Sequence, residues 1–333
     1  MPQASAITNR RLGEGPEVFP IGLGCMGMSD TYGAADERES IATIHAALDH
    51  GVTLLDTGDY YAAGHNEMLI ARSLRDRPGK AILSVKFGAL RGPDGAFLGI
   101  DLRPAAVKNA VGYSLKRLGV DYIDIYRPGR IDPAVPIEDT IGSIAELIAA
   151  GYVRAIGLSE VGAHTVRRAH AVHPIADLQI EYSLISRGPE AKIFPGLREL
   201  AIGVTAYGVL SRGLLAGATP NGPRDIRSHM PRFAGANFEQ NQKIVAELRR
   251  LADEKRCTPS QLALAWVLAR GSDIVPLIGT RTRTHLAEAL GALQVNLTQE
   301  EIDTIETAIP ASLVAGTRYG PQQMAMLDSE RES

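Results

Sequence analysis

The chain has 333 residues, 45% of them hydrophobic and 22% charged, with a formal net charge of -3. That composition belongs to a globular protein with a sizeable core. It provides no basic footprint for nucleic acid and no polybasic patch for an anionic membrane.

The apolar runs, such as Ile274 to Ile278, fall far short of the ~20 residues that span a bilayer. The opening MPQASAITNRRLGEGPEV has no apolar signal core. Cys25 and Cys257 are isolated thiols, and the scattered histidines make no metal spacing. The expectation is a reduced cytoplasmic protein with no metal. Nothing in the sequence sets its oligomeric state.

Residues 1–20 are expected to form an N-terminal segment, with a hairpin closing the bottom of the body that follows. Eight strand-like runs then come in order: VFPIGLG, TLLDTG, AILSVKFG, YIDIYRP, VRAIGLSE, DLQIEYS, GVTAYGVL and IVPLIGT. Continuous apolar runs of this kind suit parallel strands buried on both faces. Helices announce themselves between the strands. Asp36 with Glu39 has capping-box spacing, Ile41, Ile44 and Leu48 make a stripe, and Gly51 ends it. Pro104 opens a helix whose Val107, Val111, Leu115 and Leu118 share a face before Gly119. Ile141, Ile144 and Ile148 repeat the design ahead of Gly151. A Pro/Gly-rich loop at 216–240 follows the seventh strand, then a helix over about 241–255 and another from Thr258-Pro259. Strands alternating with helices over about 250 residues predict an α/β fold, a single-domain (β/α)8 TIM barrel. Its expected span is 21–310, with an irregular tail at 311–333.

GLGCMG, Gly22 to Gly27, also satisfies G-x-G-x-x-G, the outline of a Rossmann fingerprint. That fingerprint needs a helix opening at its glycines. Here MSDTYGAAD intervenes and the helix cap comes only at Asp36, so the barrel is the better reading.

Barrel chemistry collects at the C-terminal strand ends. Those ends carry Asp56, Lys86, the stretch Arg127 to Arg130, Ser159, Gln179, Tyr207 and Gly279-Thr280-Arg281. Tyr61 lies in the loop just past Asp56. A phenol near pKa ~10 is a poor proton donor at neutral pH. An ammonium about 4 Å away contributes on the order of 4 kcal/mol at an effective dielectric of about 20. That lowers the phenol's pKa by up to about three. Lys86, held charged by Asp56, is expected to act on Tyr61 in this way. The plainer alternative for a buried Lys-Asp pair is architecture. Met26, Met28 and Tyr32 follow strand one at the mouth, where an apolar carbonyl pocket and core packing are both open readings.

LLDTGDYYAAGHNE, followed in order by SVKFG, GLSE, LQIEYSL, YGVLSRG and IVPLIGTR, resembles the aldo-keto reductase superfamily from about Ile21 to Ile309. The resemblance implies a (β/α)8 barrel that reduces an aldehyde or ketone with NADPH. Asp56, Tyr61 and Lys86 match the catalytic carboxylate, tyrosine and lysine, and Tyr60 is expected to face another way. Ser159 and Gln179 match positions that hold the nicotinamide carboxamide, and Tyr207 matches the ring stacked on it. Leu210, Ser211 and Arg212 would lie along the pyrophosphate. Gly279, Thr280 and Arg281 open the last barrel helix, where Arg281 suits a 2′-phosphate. Gly24, Met26, His285 and Glu288 complete the implied cofactor set, Glu288 at the adenine. Ala289 stands where the family usually has asparagine.

One position departs from the pattern. Similar sequences read Gln-His-Arg at the end of strand four, and the histidine slot here is Gly129. Three readings compete. The enzyme works with three members and Gly129 leaves room for a bulky ketone or a water. Another group, such as Arg127 or a residue of the 216–240 loop, supplies the missing hydrogen bond. Or the chain is a cofactor-binding, redox-sensing or regulatory barrel with little turnover. Arg127 and Gly129 therefore join Met28 and Tyr32 as candidate pocket residues.

Overall fold

The structure is a computed structural model that describes residues 7–223 and 225–331. Residues 1–6 of the N-terminal segment, Arg224 of the 216–240 loop and residues 332–333 of the tail lie outside the described residues. Eight parallel strands close into a barrel in sequence order. They are β1 (Gly22–Gly24), β2 (Leu54–Gly58), β3 (Ile82–Phe87), β4 (Ile123–Pro128), β5 (Val153–Ser159), β6 (Ile175–Glu181), β7 (Gly203–Tyr207) and β8 (Ile274–Gly279). Each lies within one of the eight predicted runs or overlaps it closely. Buried on both faces, these strands need no polar alternation, which is why they read as continuous apolar runs.

The outer helices are α1 (Glu37–Asp49), α2 (His65–Leu74), α3 (Pro104–Leu118), α4 (Ile137–Ala149), α5 (Ala163–Val172), α6 (Pro189–Glu199), α7 (Gly235–Lys255), α8 (Pro259–Ala269), α9 (Arg283–Leu290) and α10 (Gln299–Ala308). The Asp36 side chain caps α1 by accepting from Glu39 N, but the Glu39 carboxylate turns outward to Arg283 instead of completing the box. Pro104 starts α3, and Gly119 ends it at φ 68°, a left-handed turn that glycine adopts freely. Thr258 and Gln261 make a full capping box on α8.

Two helix starts differ from the sequence expectation. α7 begins at Gly235 rather than near 241, its first turn carrying a single apolar anchor, Phe238, which stacks on Phe233 ahead of the regular stripe from Ile244. α9 opens at Arg283 with Thr282 as its cap, so Gly279 ends β8 and Thr280 and Arg281 form the loop ahead of the helix. Between β7 and α7 the chain makes short 3-10 turns at Ser211–Ala216, Ile226–His229 and Pro231–Phe233.

At the strand starts, a two-stranded ribbon pairs Arg10–Arg11 with Glu17–Val18. Its Leu12 is fully buried in a cluster with Leu54, Ile125, Val275 and Leu277. Arg10 fastens the ribbon by donating to Leu268 O at 2.9 Å and Gly271 O at 3.0 Å. Above this apolar plug lies a polar layer inside the barrel. Arg127 donates to Asp177 Oδ2 at 2.9 Å and to Ser84 Oγ at 3.0 Å, and Thr205 donates to the same Asp177 oxygen. The next layer toward the mouth holds Asp56, Lys86 and Gln179. At the mouth itself, Met230 of the loop and Tyr319 and Leu327 of the tail form a small buried cluster of their own.

Candidate active site

Asp56 sits opposite Ser84 in the β2–β3 register, and Lys86 sits two residues further on, opposite Gly58. Lys86 Nζ donates to Asp56 Oδ1 and, at 2.9 Å, to Gln179 Oε1. Gln179 Nε2 returns to Asp56 Oδ2 at 2.7 Å, where Ser84 Oγ also donates at 2.9 Å. Both charged groups are nearly sealed from solvent, which only such a fully bonded pair tolerates. Gly58 leaves the space above this network free: a Cβ there would stand 3.3 Å from the Tyr61 ring. Lys86 Nζ lies 5.3 Å from that ring's centroid.

The loop carrying Tyr60 and Tyr61 is held from both sides. Asp59 N donates to Lys86 O at 2.8 Å. Buried Asn66 accepts from Thr57 and donates to Cys25 O and Ser29 Oγ, each near 2.8 Å. Ala62 and Ala63, at φ 46° and 52°, stay in the left-handed region that alanine disfavours by about 1–2 kcal/mol per residue. Strain of this kind beside two tyrosines marks a loop whose shape is imposed by its surroundings.

The expected acidification of Tyr61 is overturned. Burial holds its phenol well above the ordinary value, and the Asp56 charge raises it further; Arg130 is the cation that works against this. Part of the ring meets solvent, but the surroundings of the hydroxyl set the direction. Lys86 is bonded to Asp56 at close range, and burial of Tyr61 outweighs any cation near it.

Other expected positions divide into three groups. Ser159 is buried at the end of β5, beside Gln179 in the register, and its hydroxyl has no partner among the described residues. Tyr207 donates to Glu160 Oε1 at 2.7 Å and meets Tyr319 Oη at 2.9 Å. Arg212 donates to Tyr32 Oη at 3.2 Å and Tyr319 Oη at 2.6 Å, and Ser211 accepts from Arg232 at 3.3 Å. Leu210, half-buried against the core, precedes successive left-handed residues Ser211, Arg212 and Gly213. On the far rim, Gly24 pairs with Gly279, leaving bare backbone, with Met26 half-buried in the turn after it. Arg281 donates to Gly33 O at 2.7 Å, which ties the rim after β8 to the loop bearing Tyr32. His285 is exposed on α9, and Glu288 accepts from Thr258 Oγ1 at 2.8 Å.

Two candidate pocket residues do not line the mouth. Arg127 is fully buried one layer below the rim, paired with Asp177, because the two-residue period of β4 turns 125 and 127 inward before 129 reaches the edge. Met28 packs in the main core cluster at 1% exposure. Tyr60 does not face away either. A Cβ on Gly129 would lie 2.7 Å from the Tyr60 hydroxyl, so Tyr60 fills the space a side chain at 129 would take.

A model of the Aldo/keto reductase family matches residues 20–310. A curated relative, a probable aldo-keto reductase 1 from Glycine max, is 42% identical over 314 residues, 92% of this chain and 90% of that protein. The chain belongs to the aldo/keto reductase family. Among solved structures, a glycerol dehydrogenase from Gluconobacter oxydans superposes with a TM-score of 0.83 at 29% identity, covering 92% of this chain and 97% of that one. An aldo-keto reductase from Klebsiella pneumoniae in complex with NADPH gives a TM-score of 0.74 at 25% identity, covering 92% and 96%.

Three residues of this aldo/keto reductase site were not picked out from the sequence, Glu160, Arg318 and Tyr319, and Arg130 was named only as the end of the strand-four stretch. Glu160 follows Ser159 at the end of β5 and adopts φ 54°. Burial alone would raise its carboxyl, but Arg318, then Arg130 and Ser329, bring it down to about 2. Arg130 donates to Gly129 O at 2.6 Å, and its other N–H groups have no partner among the described residues. It faces Tyr207, Tyr319, Glu160 and Tyr60, whose oxygens hold its charge firmly despite burial. Around the mouth, carboxylates Glu160, Glu181 and Glu330 meet four guanidinium groups, those of Arg130, Arg212, Arg232 and Arg318. The surplus is positive, which suits an anionic ligand. Glu160 stood in the GLSE motif as a strand-end neighbour, whereas nothing local in the tail marked Arg318 or Tyr319.

Proposed function

We propose that this chain reduces an aldehyde or ketone to the alcohol with NADPH, Tyr61 giving the proton. The observation that carries the reading is the bonded set Asp56–Lys86–Gln179 with Lys86 Nζ 5.3 Å from the centre of the Tyr61 ring, whose hydroxyl has no partner among the described residues. The mouth suits NADPH in three respects. The Ser159 hydroxyl is free for a carboxamide, the loop after β7 is basic and left-handed, and bare glycine backbone lines the rim between β1 and β8. NADPH, when bound, supplies the hydride.

The chain's own residues do the rest. Ser159 and Gln179 orient the carboxamide, and Tyr207 offers a flat face beside it. Arg212 and Arg281 meet phosphate charge. Asp56 fixes Lys86, and Lys86 fixes the ring of Tyr61 from below. A phenol kept above its ordinary value remains protonated through neutral pH, so the proton is in place on Tyr61 when a carbonyl arrives, although the raised value makes it a weaker acid.

NADPH oxidation followed at 340 nm with a panel of aldehydes and ketones tests this. Turnover on at least one carbonyl is expected, and Tyr61→Phe should lower kcat by roughly 10²–10⁴-fold. Tight NADPH binding without turnover on any carbonyl would point to a regulatory barrel.

A further inference from the structure

The chain has no histidine at position 129, but the place is not vacant. We propose that Tyr60 is the second group that meets the substrate carbonyl, standing where a side chain on residue 129 would reach. The inference rests on the carbonyl reduction proposed above.

Three observations carry it. First, a Cβ on Gly129 would lie 2.7 Å from Tyr60 Oη, 3.2 Å from Cε1 and 3.3 Å from Cζ, so a larger residue and the Tyr60 ring exclude each other. Gly129 and Asp59, the residue before Tyr60, are both fixed to the end of β3, Asp59 N donating to Lys86 O and Gly129 N to Phe87 O, each at 2.8 Å. Second, the rings of Tyr60 and Tyr61 meet edge to face, with centroids 5.1 Å apart at 87°. Neither hydroxyl has a hydrogen-bond partner among the described residues. Two unused donors therefore stand on adjoining rings at the mouth, and a carbonyl oxygen has two lone pairs to receive them. Third, burial holds the Tyr60 phenol well above its ordinary value, with the cations Lys86 and Arg130 only working against that rise, so the hydroxyl keeps its proton as a donor.

The division of labour follows. The proton on Tyr61 passes to the carbonyl oxygen as hydride reaches the carbon. Tyr60 keeps its own proton, holds the oxygen in line and shares the charge that develops there. Gly129 is then the counterpart of Tyr60: the glycine makes the room and the tyrosine uses it.

Tyr60→Phe removes only the hydroxyl. It should lower kcat on the order of 10²-fold, with little change in NADPH affinity measured by fluorescence titration. Tyr60→Ala should lose at least as much, and Tyr60→Ala/Gly129→His should recover tenfold or more over Tyr60→Ala alone. Gly129→His in the parent should be poor, because its imidazole meets the Tyr60 ring. A Tyr60→Phe enzyme within twofold of the parent in kcat/KM overturns the assignment, and so does a double variant no better than Tyr60→Ala. Tyr61→Phe separates the two levels. If it abolishes turnover while Tyr60→Phe does not, only the role of Tyr60 falls; if neither matters, the reductase chemistry itself is lost.

Discussion

Arg318 meets Glu160 with both arms of its guanidinium group, Nη1 to Oε1 at 3.0 Å and Nη2 to Oε2 at 2.8 Å. One partner comes from the tail and the other from the end of β5, and both are buried. Ser329 adds a hydrogen bond to the same carboxylate, and Asp328 accepts from Gly162 N. The tail is thus bonded to the catalytic end of the barrel through charge rather than through apolar contact alone.

Arg318→Ala leaves Glu160 buried without its main partner. Removing one member of a buried pair costs about 3–5 kcal/mol, measurable by urea unfolding. The acid limb of stability should change as well. The Glu160 carboxyl stands at about 2 in the fold, below its ordinary value of 4.5. Its contribution is therefore present above about pH 4.5 and lost as pH falls toward 2. The variant should show a shallower fall across that window.

The pH profile of reduction tests the state of Tyr61. Its phenol lies well above 10 in the fold, so the proton it donates stays in place through the alkaline range. The rate of carbonyl reduction, kcat, should show no loss from this group up to pH 10. A basic limb near pH 7, absent in a control reaction that bypasses Tyr61, would contradict the high phenol value.

Arg281 should decide between the two nicotinamide cofactors. Its guanidinium is already anchored to Gly33 O, so it is placed in advance for a phosphate. Hydrogen bonds to charged groups contribute about 1.5–3 kcal/mol, so Arg281→Ala should raise KM for NADPH roughly 10–100-fold. KM for NADH should stay nearly unchanged. Equal losses for both cofactors would place the arginine elsewhere in the site.

Asp59 offers a stability test near neutral pH. Burial and the neighbouring Glu67 push its carboxyl up to about 7, and its buried Oδ1 has no partner among the described residues. For a carboxyl raised in the fold, the contribution is full below its ordinary value of 3.8 and is lost as pH rises through about 7. The melting temperature should therefore fall between pH 6 and pH 8. Asp59→Asn should flatten that fall and be the more stable protein at pH 8.

The barrel was legible because its signals are local. Runs such as TLLDTG and AILSVKFG carry the two-faced burial of parallel strands, and Asp36, Pro104 and Gly119 mark helix ends by chemistry that acts within a few residues. Asp56, Lys86 and Gln179 were legible as strand ends, and the structure brings the three into one network. Less legible was whatever depended on depth or on distant chain. Arg127 differs from a rim residue by only one step of the strand period, yet it lies a layer below. The polarity of Tyr61 required knowing how deeply its hydroxyl is buried, which outweighs a nearby cation. Tyr60 could be placed against Gly129 only in three dimensions, since the two come from separate strand ends. Arg318 and Tyr319 lie in a tail without periodicity, and ion pairs spanning such separations leave no trace in spacing.

The tail also falls beyond the 20–310 stretch that defines membership of the family, although it supplies Arg318 and Tyr319 to the mouth. Relatives can therefore share every barrel residue and still present different ceilings to an incoming molecule. Trimming this protein to its recognisable core would keep the engine and remove the roof, and a fusion partner joined at the C-terminus would sit beside the doorway rather than at the sealed pole.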